Sequence, residues 1–451
     1  MQSGVLLLSH CGFSFIEELL AALKARGLEA YVLSSQPLPE QRERLDFLGA
    51  NTKWLSVTNA HALVRDDVEH ALDELAHLGC DVRACISVWE GYREFVAHAN
   101  RRLGITDLAP ERIATLRDKL ALRTALRAAN ETTVRAGRLT PARLEAFRKH
   151  VAGSKAQRFF VKPIHGIASY GAFPLRSNTT WQDLENIADE ASHDLLYQAL
   201  IGDKTEFLVE DYIDGREFSF EILARNGRRF VVAIHEKLNL TERGATVLED
   251  CCISPPLHLN LEQRAAAVLW TERICSALNL DHGCFHLEAR YNGKRWEVIE
   301  VNPRVGGSLI SASVAASTGT AGMLDLWLES LLAQDATSAA KIEALLEKIS
   351  IERNGEIKSD TETVFRVFFA EARKIAGIAC VPLRHPPTIT QIFLHPGDEI
   401  EQSSREVFLG QCLWTYPASE RYCVLPTLLH EAPRAIQVIY TTLPVPIAEA
   451  A

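Results

Sequence analysis

Two runs of this chain place the tightest demand on its fold. FHLEARY at 285–291 and EVIEVN at 297–302 alternate apolar and polar residues on either side of Asn292-Gly293. A period of two belongs to a half-buried strand, and Asn-Gly between two such runs marks a hairpin. The second run carries Glu300 and Asn302 and then stops at Pro303, Arg304 and two glycines. A buried carboxylate is costly unless a cation compensates it, so the hairpin demands a partner for Glu300.

On one strand Phe285, Leu287 and Ala289 face one way and His286, Glu288 and Arg290 the other; on the return strand Val298, Glu300 and Asn302 share a face. Glu288 and Glu300 meet on one side if the loop holds an odd number of residues. A three- or five-residue loop with Gly293 at positive φ is therefore expected. Glu288, Glu300 and Asn302 are then three hard oxygen donors on one patch, a set that suits Mg²⁺ and not a soft metal. Arg304 adds a planar fork for an anion. The competing reading is a surface hairpin with solvated acids.

The beginning of the chain, GVLLLSHCGFSFIEELLAALKARGLEAYVLSS, alternates strand, helix and strand, and the alternation continues to about residue 110. Such units imply a parallel, Rossmann-like sheet with helices on both faces over 1–110. Pro110 then opens a helix, PERIATLRDKLALRTALRAAN. A small α+β block at 111–206 holds RFFVKP, IHGIASYGA, FPLR and a helix WQDLENIADEASHDLLYQAL. Residues 207–335 give strands FLVEDYI, REFSFEILAR and RFVVAIHEKL, a long helix, the hairpin, and a helix from Ser308 to about Leu332. A polar stretch at 339–361 leads into a β-rich piece, so 336–445 forms the last unit. The fold class expected is mixed α/β and α+β.

A net charge of −10 argues against nucleic acid or an anionic membrane as partner. The apolar run at 5–8 is a first strand and not a signal peptide, and no window nears the ~18 apolar residues of a membrane span. The 10 cysteines show no metal-binding spacing. Reduced thiols and a cytoplasmic location are expected.

Upstream, VKPIHGIASYGA puts Lys162 at a strand end before a loop with Gly166, Ser169 and Gly171. Glycines let backbone N–H groups approach a phosphate, and a lysine adds charge. VEDYIDGREFSFE offers Glu210 and Ile213 at a strand end and Glu217 after a Gly215 turn. Alone, each is an ordinary glycine-rich hairpin or charged turn. Taken in order, DK at 118–119, VKP…SYG at 161–171, VEDYIDGREFSFE, FHLEAR and EVIEVNPRVGG resemble the ATP-grasp superfamily of carboxylate-amine ligases. The resemblance runs from about Pro110 to Leu332. FHLE and the segment HEKLNLTERGATVLEDCCISPP look like the bacterial L-amino-acid ligases, which make dipeptides in bacilysin and phytotoxin biosynthesis. Cys252 stands where that pattern has a histidine.

The resemblance implies an ATP-grasp fold with an N-terminal parallel-sheet domain, a small lid, a central antiparallel sheet and a C-terminal β-rich subdomain. It implies ATP contacts from Lys119, Lys162 and the loop of Gly166, Ser169 and Gly171, with Glu210 and Ile213 at the adenine and Glu217 at the ribose. Glu288, Glu300 and Asn302 would hold two Mg²⁺ ions, with Mn²⁺ as an alternative. Arg304 would orient the substrate carboxylate, and Lys162 would assist transfer. Glu249 is the candidate for the substrate ammonium, with Gly307, Ser308 and His286 nearby. His235, His282, Ser87, Trp89 and Glu90 are further candidates for the pocket, each with packing as the competing reading. Free amino acids are the expected substrates and a homodimer the default assembly. The alternatives are action on another carboxylate, by carrier loading, ring closure or carboxylation, and a nucleotide-binding protein without ligase activity.

Overall fold

A computed structural model describes residues 3–13, 15–153, 157–167, 169–195, 205–243, 245–401 and 407–441. The opening alternation forms a parallel sheet of β1 (Ser3–Ser9), β2 (Glu29–Ser34), β3 (Trp54–Val57) and β4 (Asp81–Ile86), in the order β3-β2-β1-β4. Val5 and Leu7 pack on one face and Leu6 and Leu8 on the other, as a strand covered on both sides requires. The carboxyl ends of β1 and β4 deliver His10 and Trp89 to the crevice side of this sheet.

The lid is an antiparallel sheet of β5 (Ala136–Arg138), β6 (Phe159–Pro163), β7 (Phe173–Pro174) and β8 (Phe207–Asp211), ordered β5-β8-β6-β7. Its helices Pro141–Gly153 and Trp181–His193 cover one core. The helix expected over 181–200 ends at His193, where Asp194 turns to extended backbone, and residues 196–200 lie outside the described residues. The central sheet runs β13-β12-β9-β10-β11-β14-β17-β16. Its members are β9 (Arg216–Arg225), β10 (Arg228–Arg243), β11 (Thr246–Ser254), β12 (Gly283–Tyr291), β13 (Trp296–Asn302), β14 (Thr361–Phe369), β16 (Ile389–Ile392) and β17 (Phe408–Pro417). β15 (Ile375–Cys380) pairs separately with β18 (Ile436–Tyr440). Asn226 and Gly227 take φ of 49° and 74°, the left-handed pair that closes β9 onto β10.

Three expectations are corrected. The helix from Pro110 is two, Pro110–Arg117 and Lys119–Ala128, because the Asp118 carboxylate caps the second by accepting from the N–H groups of Leu120 and Ala121. The helix expected from Ser308 to about Leu332 is also two, Ile310–Thr318 and Met323–Leu332, with Gly319 at φ 64° ending the first. The polar stretch begins in a helix, Ala336–Ile349, capped by Asp335.

The hairpin parity comes from a different source than the loop. Tyr291 pairs with Trp296, which leaves the four residues Asn292 to Arg295 in the loop, an even number. The register then slips between Ala289↔Val298 and Glu288↔Glu300, so Ile299 is bulged out. Val298 therefore faces the core at 0 % exposure and does not share the face of Glu300. Glu288, Glu300 and Asn302 still reach one face.

Candidate active site

Two cavities meet at this carboxylate pair. One, of about 90 Å³, lies between lid and central sheet and is lined by Lys119, Lys162, Gly166, Ser169, Ile213 and Glu300, among others. The bulged Ile299 also lines it, so the extra residue is used as a wall. The second, of about 670 Å³, opens on the other side of the acids and includes Glu249, Asn302, Arg304, Gly307 and Ser308 in its lining.

Lysines flank the first cavity. Lys119, at the start of its helix, donates to the Gly166 carbonyl at 2.9 Å and lies 3.6 Å from Glu300. Its own N–H donates to the Ile164 carbonyl, which ties helix and loop together. Lys162 on β6 is buried, with Nζ 2.7 Å from Glu210. Glu210 borders the cleft, but its carboxylate is also gripped by the Arg123 guanidinium at 2.9 and 3.1 Å. Burial opposes the charge on both partners: it lowers Lys162, while Arg123 and Lys162 together hold Glu210 below its ordinary range. Ser169 takes φ 54° in the loop. Gly171 serves packing: a Cβ there would stand 2.9 Å from Ile187 and 3.1 Å from Pro163.

At the junction, Glu217, Glu249 and Glu288 bring carboxylate oxygens within 4.8 Å of one another. What keeps three acids together is Lys237, whose Nζ lies 2.8 Å from Glu217, 2.5 Å from Glu249 and 3.2 Å from Glu288. Lys237 was not among the expected site residues. Its signal was a lysine in the buried strand RFVVAIHEKL, a position that requires acids around it. Burial works against the Lys237 charge, yet Glu217, Glu249 and Glu288 raise it well above the ordinary lysine range. Burial, with Glu288 and Glu217 nearby, pushes Glu249 up to about 8 despite the pull of Lys237. Glu217 is further bound by Arg290 at 2.9 Å, so its carboxylate belongs to this cluster as it stands.

His286 bridges Glu221 at 2.9 Å and Glu288 at 2.8 Å. Burial opposes its charge, but the two carboxylates raise it to about 10. His235 is buried behind it, 2.9 Å from Ser313 and 3.6 Å from Glu221, and does not line either cavity. His282 lies at the β9–β10 turn against the Asn226 N–H and is remote from the acids. Ser87 donates to the Leu8 carbonyl and is structural. Trp89 lines the larger cavity, stacked on His10 at 4.2 Å.

Glu90 holds Arg304 at 3.0 Å, and Arg93 donates to the Pro303 carbonyl at 2.8 Å. The first domain thus fixes the Pro303-Arg304 turn. Ser308 takes φ 52°, and Leu309 precedes the helix, so Ser308 is no N-cap. Cys252 lines the larger cavity beside Glu249, where burial raises its thiol far out of the reactive range.

Glu288, Glu300 and Asn302 could hold a divalent cation: the donors are hard and adjacent, the two acids line both cavities and Asn302 lines the larger one. Asn302 already donates to Glu300 at 2.9 Å, which fixes its carbonyl oxygen on the same patch.

Comparisons with known proteins bear on the fold. Residues 156–312 match the ATP-grasp domain family. The fold is the ATP-grasp fold: an L-amino acid ligase from Bacillus licheniformis superposes with TM-score 0.74 at 20% identity, covering 98% of this chain and 99% of the other. A phosphoribosylglycinamide synthetase from Anaerococcus prevotii gives TM-score 0.65 at 14% identity, covering 98% of this chain and 100% of that one. In sequence, 127 residues (28% of this chain) are 28% identical to carnosine synthase 1 from Gallus gallus, and the match spans 13% of that relative's length. No helix among the described residues is long and apolar enough to cross a membrane.

Proposed function

We propose that this protein is an ATP- and Mg²⁺-dependent ligase that activates the carboxylate of one free amino acid and joins it to the amino group of a second. The observation that carries the reading is the placement of Glu288 opposite Glu300 at the junction of two cavities. One cavity carries lysines for phosphates, and the other an arginine and an acid for an amino acid.

In the first step a substrate carboxylate oxygen attacks the γ-phosphorus. The bond from that phosphorus to the β–γ bridging oxygen breaks, and ADP leaves with the electron pair. In the second step a neutral amine attacks the acyl carbon, the C–N bond forms, the C–O bond to phosphate breaks with its electron pair going to phosphate, and the amine proton passes to the departing phosphate. Magnesium, when bound by Glu288, Glu300 and Asn302, supplies charge neutralisation among the phosphate oxygens. Lys119 and Lys162 bind the phosphates under the loop of Gly166, Ser169 and Gly171, and the backbone around Glu210 and Ile213 borders the base. Lys237 brings a further cation toward the transferring group. Arg304, held by Glu90, orients the carboxylate and stabilises the oxyanion of the second step. Glu249, 2.5 Å from Lys237 and pushed up to about 8, offers a hydrogen-bonding partner to the amino group of an amino acid, with Gly307, Ser308 and His286 around it. Glu217, expected at the ribose, is assigned to support of Lys237.

Such a ligase must keep water from the mixed anhydride. The reading places the enzyme in the cytoplasm with free amino acids, as a homodimer by default. Release of ADP and phosphate, measured with amino acids singly and in pairs, tests it. Release with pairs, together with a dipeptide mass, supports the ligase; no release with any pair overturns it.

A further inference from the structure

The larger cavity is charged at one end only. Its acids, Lys237 and Arg304 come from the central sheet and the turn after it, whereas much of the remaining wall is apolar and rich in aromatic rings. Phe13 and Trp89 come from the first domain; Phe365, Phe369, Phe393 and Phe408 come from the C-terminal strands. The alternation of β14 accounts for part of this wall. Phe365, Val367 and Phe369 point to the cavity while Val364 and Phe368 fill the core behind. Phe408 on β17 is registered opposite Phe369 and packs on it at 5.3 Å.

Two of these rings are open to solvent at a cost. Phe13 is 38% and Phe393 46% exposed, and among the described residues they are the two exposed phenylalanines. Both line this one cavity, although they are 380 residues apart in sequence. The Arg44 guanidinium stands over the Phe13 ring at 4.6 Å, so Phe393 is the less covered of the two, and an exposed ring in a concave apolar wall marks a ligand site. A volume of about 670 Å³ is far more than the polar groups of a small amino acid need.

We infer that at least one of the two substrates is an amino acid with a large apolar side chain, aromatic for preference. Its α-amino and carboxylate groups meet Glu249 and Arg304, and its side chain lies against the phenylalanine wall. The inference rests on the ligase reading for its reaction but concerns binding in its own right. In an apolar pocket one methylene changes selectivity about 10- to 200-fold, so a filled wall discriminates strongly against glycine.

The test measures two quantities on the full chain with Mg²⁺ present. Calorimetry with ADP follows binding of L-phenylalanine, L-tryptophan, L-leucine, glycine and L-aspartate. ADP release with ATP follows turnover of the same amino acids in all pairs. Expected is at least about tenfold tighter binding and tenfold higher kcat/KM for the bulky apolar amino acids. Phe393→Ser, at a half-exposed position outside the core, should raise KM for the bulky amino acid and leave KM for ATP unchanged. Selective binding without ADP release would sustain this inference and sink the ligase reading. Turnover confined to small or acidic amino acids would do the reverse. Equal binding of glycine and phenylalanine, or an unmoved KM in Phe393→Ser, overturns the inference.

Discussion

Glu288 stands directly opposite Glu300 because Ile299 is extruded from the ladder between them. Without that bulge Glu300 would pair with Leu287 and point into the core. The pair is expected to act as a unit. Glu288→Gln or Glu300→Gln should each lower turnover by about 10²–10³, the loss of a few kcal/mol of charge stabilisation. Circular dichroism should remain unchanged. Wild-type turnover in either variant would show that the metal assignment is wrong.

Lys237 holds three carboxylates apart by holding each of them close. Removing one partner from a buried charge cluster costs about 3–5 kcal/mol. Lys237→Met should therefore melt well below the wild type in chelator. Added Mg²⁺ should raise its melting temperature more than that of the wild type, since three bare carboxylates within 4.8 Å form a site for a dication. A variant that melts like the wild type in chelator would refute this account of the cluster.

The 3.0 Å contact between Glu90 and Arg304 crosses from the first domain to the site. Glu90→Gln keeps the shape and removes the charge. Its expected effect is a fall in kcat of about tenfold with KM for ATP unchanged, because the guanidinium loses its orientation and the nucleotide cleft is untouched. A change confined to KM for ATP would contradict this.

Glu210 carries a pH signature. Burial opposes its charge, but Arg123 and Lys162 hold its pKa below 4.5. A depressed carboxylate stabilises the fold above the unfolded value and loses that contribution as pH falls through the folded value. Relative to Glu210→Gln, the wild type should lose stability only below about pH 4.5, which denaturant titrations across pH 3–7 can read. A constant difference over that range would count against the buried pair.

Gly306 touches the His286 relay from outside. A Cβ there would lie 2.7 Å from His286 Nδ1 and 2.9 Å from Ile310 Cγ1. Gly306→Ala should cost about 1–3 kcal/mol in stability and displace the His286 ring from Glu221. An unchanged melting temperature would show that the turn relaxes freely.

Local pattern was legible where period and turn chemistry act within a few residues. The parallel first sheet followed from strand–helix alternation, and Pro110 opened its helix as its missing N–H allows. Helix lengths were overread at Asp118 and Gly319, where a cap and a left-handed residue end a segment that apolar spacing alone would continue. The hairpin reached the right pairing by the wrong device, since a bulge leaves no mark in residue order. The order of short motifs named the fold class, and the comparisons agree.

Residue order alone establishes the chemistry on offer: hard oxygen donors at Glu288, Glu300 and Asn302, lysines at strand and helix ends, and an arginine after the proline. These follow from residue type and short-range period. That Lys237 sits among three acids, that Glu90 holds Arg304, and that phenylalanines 380 residues apart share one wall emerges from folding in three dimensions. Charge compensation and apolar burial act through space between distant strands, and neither has a spacing along the chain.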